Sequence, residues 1–107
     1  MIYTDKASIE IKAGDILKWD EERGPDYGRS IHEVIEIDGV LFCVMRVGYP
    51  AWTLFDDDEP IELKHFGFGS STECRQAEIV GNINGDRSAL SIERAWEYWP
   101  DERREAG

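Results

Sequence analysis

Residues 30–47 read SIHEVIEIDGVLFCVMRV and carry the clearest structural signal in the chain. Two apolar-rich runs, Ser30–Ile37 and Val40–Val47, flank the dipeptide Asp38-Gly39. Both central residues of a type I′ turn need a positive φ, and an Asp-Gly pair satisfies this while matching the twist of the flanking strands. The stretch therefore predicts an antiparallel β-hairpin.

Short alternating segments on both sides of the hairpin predict further strands, because polar and apolar residues alternate and turn residues bound each segment. These segments are residues 8–12, 16–19, 51–55, 61–64 and 76–83. The charged stretch 20–28, which contains Gly24-Pro25-Asp26, predicts an exposed loop.

The spacing of apolar residues changes near the C-terminus. Ile92, Ala95, Trp96 and Trp99 fall at i, i+3, i+4 and i+7, which is typical of one face of a helix. Asp86 or Ser88 can cap this helix, Pro100 ends it, and Tyr98 should face away from Trp96 and Trp99. The sequence thus predicts a mainly β (α+β) fold: a small, strongly bent antiparallel sheet or a five-stranded SH3-like barrel, with one C-terminal helix.

A length of 107 residues and a mass of 12.3 kDa correspond to one domain. We assign it to residues 1–100 and expect the charged tail 101–107 to be frayed. The longest apolar run, residues 40–45, is six residues long, whereas a membrane span needs about 20. The first residues lack the pattern of a secretory signal, so we expect a cytoplasmic protein.

The balance of acidic and basic residues limits the classes of function that the chain can have. Twelve basic against twenty-three acidic residues give a net charge of -11, which repels a phosphate backbone. Direct binding of nucleic acid is therefore the first function to be excluded. The excess is -7 in residues 55–107 and -4 in residues 1–54, and its densest cluster is Asp56, Asp57, Asp58 and Glu59. A basic protein surface is the partner that such a charge favours.

The cysteines and histidines predict no metal site. Cys43 lies in an apolar run and is expected in the core, whereas Cys74, next to Arg75, is the candidate for the more reactive thiol. A disulfide between the two stays open. His32 is read as a partly exposed strand residue, and His65 begins a glycine-rich loop. The spacing of these four residues matches no compact zinc module.

Catalytic motifs are missing as well. The segment 66–70 reads FGFGS and lacks the Gly-Lys-Ser/Thr ending of a phosphate-binding loop, and the chain has no nucleophile elbow. We expect no enzyme, no catalytic residues and no cofactor.

Aromatic residues beside predicted turns supply candidate binding residues. The acidic cluster 56–59 is followed by Pro60 and predicts an exposed turn, and Trp52, Phe66 and Phe68 lie near it in sequence. Aromatic residues close to turns are harder to bury than those in mid-strand. Together with Asp56, Asp57, Asp58 and Glu59 they form the predicted partner-binding set. The alternative for Trp52 is that it closes one end of the core.

Two segments resemble the YopX-like proteins of bacteriophages and prophages. Residues 11–19 read IKAGDILKW and are similar to the family's EGDIV motif, and residues 77–83 read AEIVGNI and are similar to its closing EVIGNIYENPELL segment. The resemblance covers roughly residues 9–84. The chain lacks the family's aromatic and basic N-terminal segment and its TGLKD block, it has Asn84-Gly85-Asp86 in place of the Tyr-Glu-Asn-Pro continuation, and its Trp-rich helix lies outside the pattern. The resemblance implies a small protein containing a β-barrel, encoded by a phage or mobile element, and it brings no catalytic residues.

Three functional hypotheses follow. The first is a non-enzymatic, DNA-mimicking inhibitor of a host nucleic-acid-handling defence complex, of the anti-CRISPR or anti-restriction type, which would act in the host cytoplasm. The second is a phage accessory or structural module that self-associates through strand edges or the Trp-rich helix. The third is a barrel that binds a small ligand at the loop 66–71.

Overall fold

The predicted hairpin is confirmed in the computed structural model, which describes residues 2–21, 28–48, 53–54, 59–66, 72–74 and 76–100. Strands β2 (Gly28–Ile37) and β3 (Val40–Gly48) pair in antiparallel fashion, with Ile37 opposite Val40 at the turn. Asp38 and Gly39 have φ values of 51° and 79°, as a type I′ turn requires.

The hairpin lies at the centre of an antiparallel sheet. The other strands are β1 (Asp15–Glu21), β4 (Thr53–Leu54), β5 (Ile61–Glu62) and β6 (Ala77–Asn82). The order is β4-β3-β2-β1-β6, and β5 also pairs with β3. Register shifts at Ile16/Leu17 and Ile31/His32 mark bulges, which increase the local bend and twist of a sheet. The predicted mainly β fold with a C-terminal helix is confirmed.

The predicted strand at residues 8–12 is wrong. In this segment Glu10 forms only an isolated bridge with Thr4, and Ser8 has a φ of 64°. The cause is Asp5, whose Oδ1 accepts hydrogen bonds from the backbone N–H groups of Ala7 and Ile9 at 2.9 and 3.0 Å. The side chain thus turns the chain where alternation alone predicts extension.

Alternation along the strands divides the apolar side chains between two cores. The first core contains Ile11, Leu17, Trp19, Val34, Cys43, Leu63, Cys74 and Ala77. The second core contains Ile16, Ile31, Val47, Ala89, Ala95 and Trp99. The sheet is therefore covered on both faces. A 3₁₀ turn (Leu63–Phe66) and the N-terminal residues contribute to the first core, and the C-terminal elements contribute to the second.

The C-terminal cover consists of a 3₁₀ turn (Arg87–Leu90) and helix α1 (Ile92–Tyr98). Asp86 caps the 3₁₀ turn, and the cap of α1 is Ser91, whose hydroxyl accepts from the backbone N–H of Arg94 at 3.3 Å. The predicted cap positions therefore belong to the preceding turn. Ala95 and Trp99 are buried in the second core, as the helical spacing predicts.

Tyr98 does not face away from Trp99, contrary to the prediction. Trp99 leaves helical geometry with φ -129° and ψ 72°, and its ring centroid lies 6.1 Å from that of Tyr98. The Lys18 ammonium lies 5.8 Å from the Tyr98 ring centroid and 5.5 Å from that of Trp99. The end of α1 is thus fixed over β1 by aromatic and cation–π contacts.

Candidate interaction site

Most of the predicted partner-binding residues lie outside the described residues. These are Trp52, Asp56, Asp57, Asp58 and Phe68. Glu59 is described and exposed. Phe66 is half-buried, and its ring meets that of Trp19 edge-on with 4.8 Å between centroids, so this face of the ring belongs to the first core.

His32 is buried, which corrects the prediction of a partly exposed residue. Its Nε2 lies 2.7 Å from the Ser30 hydroxyl, and its ring centroid is 6.3 Å from Trp19 and 6.2 Å from Phe66. It shares a sheet face with Val34, two residues along β2, so strand parity places it on the first core. His65 is exposed at the end of the 3₁₀ turn.

The structure also corrects the prediction for Cys74. Its side chain is fully buried in the first core, and burial, with a smaller contribution from the charge of Asp5, raises its pKa from 9.0 to about 11. A thiol with this pKa stays protonated at neutral pH and is a poor nucleophile. Cys43 is buried in the same core, as predicted, and both residues are present as thiols.

The described residues offer neither a cluster of metal ligands nor a helix that could span a membrane. They contain no group of three or more His, Cys, Asp or Glu side chains arranged to hold a metal ion. None of the helices in this part of the chain combines the length and the apolar character needed to cross a bilayer.

The basic side chains of the described residues are mostly engaged within the chain. Five of them form ion pairs: Lys6 with Glu78, Arg29 with Asp20, Arg46 with Glu33, Lys64 with Glu62, and Arg94 with both Asp86 and Glu97. Lys18 lies over two aromatic rings. Since the acids outnumber the bases in the sequence, this pairing leaves an excess of carboxylates.

Helix α1 carries a second surface feature, which we call the α1 depression. It has a volume of about 350 Å³ and is lined by Glu93, Trp96, Glu97 and Pro100. Glu93, Trp96 and Glu97 have the spacing i, i+3 and i+4 and form one stripe along α1, whereas Pro100 follows the end of the helix. Trp96 also packs against the second core, so this one side chain contributes both to that core and to the lining of the depression.

The electrostatics around the α1 depression are acidic. Glu93 and Glu97 are exposed and lie four residues apart, at which like charges repel. Arg94 bridges Glu97 at 3.2 Å and Asp86 at 3.1 Å, whereas Glu93 is in none of the ion pairs between described residues. The hydroxyl and backbone N–H of Ser88, together with Arg94, lower the pKa of Asp86, so it stays ionised beside this surface.

Glu93, Glu97 and Pro100 were missed as candidate binding residues. A signal exists for Glu93 and Glu97, because with Trp96 they form a stripe that has the same period as the buried stripe and is offset from it by one residue, whereas Pro100 lies beyond the helix. Trp96 belongs to both stripes. A large aromatic residue shared between a core face and an acidic face is the feature that indicates this site.

Comparisons with protein-family models, with curated proteins and with solved structures found no match to this chain.

Proposed function

We propose that this chain is a non-enzymatic binding protein whose acidic surface engages a basic surface of another protein. The observation that carries the proposal is the pairing of charges: most described cations form ion pairs with carboxylates of the same chain, while the net charge is -11. A surface of this kind steers a basic partner toward it by long-range attraction.

The partner class that fits best is a protein that normally holds nucleic acid. Its binding surface is built for regularly spaced negative charges, and exposed carboxylates can occupy the places of phosphates. Together with the resemblance to YopX-like phage proteins, this supports an inhibitor of a host defence complex, of the anti-CRISPR or anti-restriction type, acting in the host cytoplasm. Asp56, Asp57, Asp58 and Glu59, with Trp52, Phe66 and Phe68, remain the proposed partner-binding set.

The test combines capture from host lysate with competition by DNA. Immobilised protein should retain a nucleic-acid-binding protein that elutes as salt rises and is displaced by duplex DNA, because both ligands would occupy one site. Retention that is insensitive to both salt and DNA would overturn the proposal.

A matched pair of variants locates the contact. Asp57→Lys with Asp58→Lys should abolish retention, whereas Glu10→Lys with Glu36→Lys changes the net charge equally at exposed positions elsewhere. Equal loss in both variants would show that the net charge of the chain, and not the acidic cluster at residues 56–59, governs binding.

Self-association is the second candidate, and one observation favours it. Ile37 and Val40 face each other at the end of the hairpin and are 42% and 43% exposed. Exposed apolar side chains of this size can pair two copies of a chain. Trp99 does not offer such a contact, because it is only 6% exposed and belongs to the second core. Sedimentation of the wild type against Ile37→Thr with Val40→Thr distinguishes a dimer from a monomer.

A further inference from the structure

We infer that the α1 depression accepts an arginine side chain of the basic partner, with the guanidinium against Trp96 and between the carboxylates of Glu93 and Glu97. The inference rests on the proposed function and extends it by naming the side chain of the partner that the depression binds. Its basis is a cavity that combines an aromatic wall, an apolar end at Pro100 and two acidic groups in one helical stripe.

The shape of the depression suits a long side chain. Its volume of about 350 Å³ exceeds the space of a single ion. Trp96 and Pro100 provide apolar surface for the methylene stem, and long cationic side chains bury such stems while keeping the charged end near polar groups. A small inorganic cation would leave this apolar surface unused.

The charge of the depression selects a cation. Glu93 and Glu97 are like charges one helical turn apart, and Arg94 compensates Glu97 only in part because it also pairs with Asp86, so a second positive group between the two glutamates would relieve the remaining repulsion. An aromatic face attracts a cation as well, and indole does so more strongly than the smaller rings. Carboxylate and aromatic contacts therefore favour the same ligand.

Arginine fits better than lysine for geometric reasons. Guanidinium is planar, stacks on an aromatic ring and donates several hydrogen bonds in fixed directions. It can thus contact the indole face while donating to a carboxylate on either side. The ammonium group of lysine is a compact, strongly hydrated charge, so it binds less well against a flat aromatic ring.

The arginines of this chain are the competing occupants. Arg94 donates hydrogen bonds to Glu97 and to Asp86, so its guanidinium is held beside the depression and does not fill it. Arg103 and Arg104 follow Pro100 and lie outside the described residues. The experiment therefore includes a full-length variant in which both are neutral.

The experiment measures binding of two labelled peptides of equal charge, (Gly-Arg)₅ and (Gly-Lys)₅, at low and moderate salt. Wild type should bind the arginine peptide several-fold more tightly. Glu93→Gln with Glu97→Gln should weaken that binding about tenfold and remove the preference, since charge-assisted hydrogen bonds are lost. Glu10→Gln with Glu36→Gln removes the same charge from exposed sites elsewhere and should change the affinity less than about twofold.

Trp96→Phe provides an independent arm, because it keeps an aromatic ring in the second core while reducing the aromatic face. It should lower the arginine preference with thermal unfolding still cooperative. Arg103→Gln with Arg104→Gln should bind as wild type does. If only this tail variant binds, the tail fills the depression and the inference is overturned.

The remaining outcomes separate the two proposals. If wild type binds in a salt-sensitive way but both glutamate pairs lose equal affinity, or if the two peptides bind equally, the acidic-surface function stands and the arginine site is overturned. If wild type binds neither peptide at low salt, both proposals are overturned.

Discussion

The carboxylate of Asp5 accepts a hydrogen bond from the backbone N–H of Ile79 at 3.0 Å, across 74 positions of sequence. Its other oxygen accepts from Ala7 and Ile9, so one buried side chain satisfies three backbone donors. Ile79 lies on β6, the last strand of the sheet order, so Asp5 occupies an edge N–H that could otherwise pair with another strand.

Asp5→Ala should therefore destabilise the fold by about 3 kcal/mol, because three backbone N–H groups lose a charged acceptor in a buried setting. Urea unfolding measures the loss, and exchange of the Ile79 amide should accelerate. Glu10→Ala, at an exposed acidic position nearby, should change the stability by less than about 0.5 kcal/mol. Similar losses in both variants would contradict the role of Asp5.

Gly14 and Asn82 lie against each other where β1 and β6 meet. Asp15 accepts hydrogen bonds from the backbone N–H of Lys12 at 2.8 Å and from the Asn82 amide at 3.1 Å. Gly14 has a φ of 89°, and a Cβ there would lie 3.1 Å from Asn82 Nδ2. Gly14, Asp15 and Asn82 thus have a structural role at the junction of β1 and β6.

Gly14→Ala should cost about 1–2 kcal/mol of stability, because alanine is strained at this φ and its methyl group crowds Asn82. Gly85→Ala is the control, since its Cβ would meet only a backbone oxygen at an ordinary 3.7 Å. Thermal unfolding of both variants checks the difference. Equal melting temperatures of the two variants would show that neither the φ of Gly14 nor its contact with Asn82 disfavours a side chain at this position.

Cys74 predicts a stability that depends on pH in the alkaline range. Because its pKa rises from 9.0 to about 11 on folding, the folded state favours the protonated thiol. The resulting stabilisation is complete below pH 9 and is lost as the pH rises through 11. Wild type should therefore lose stability relative to Cys74→Ala between these values, as urea midpoints at a series of pH values can measure. A constant difference between the two proteins would refute this.

Much of the fold is predictable from local sequence. The hairpin follows from the Asp38-Gly39 turn, and α1 follows from apolar spacing, because both signals act between residues that are near in the chain. Residues 8–12 show the limit of predicting structure from local sequence. Their alternation predicts a strand, but a buried carboxylate at Asp5 takes the backbone hydrogen bonds that a strand would need.

The candidate site is only partly predictable, for a similar reason. Helical spacing places Glu93 and Glu97 beside Trp96, and this much is readable in the sequence. The depression itself depends on how the indole rests on the second core, and that is set by residues of the sheet far away in the chain. The predictions for Cys74 and His32 are wrong for the same reason, since their burial comes from contacts between distant segments.

Trp99 gives a prediction that separates folding from assembly. Its indole N–H donates to Asp20 at 3.1 Å, and the ring closes the second core against β1. Trp99→Ala should therefore cost about 3–5 kcal/mol of stability, as expected for removal of a large buried ring. Glu97→Ala, two residues earlier on the exposed side of α1, should cost less than about 0.5 kcal/mol. Urea unfolding at several protein concentrations measures both, because a loss that grows with protein concentration would mean that Trp99 stabilises an oligomer, whereas a concentration-independent loss assigns it to the fold of one chain.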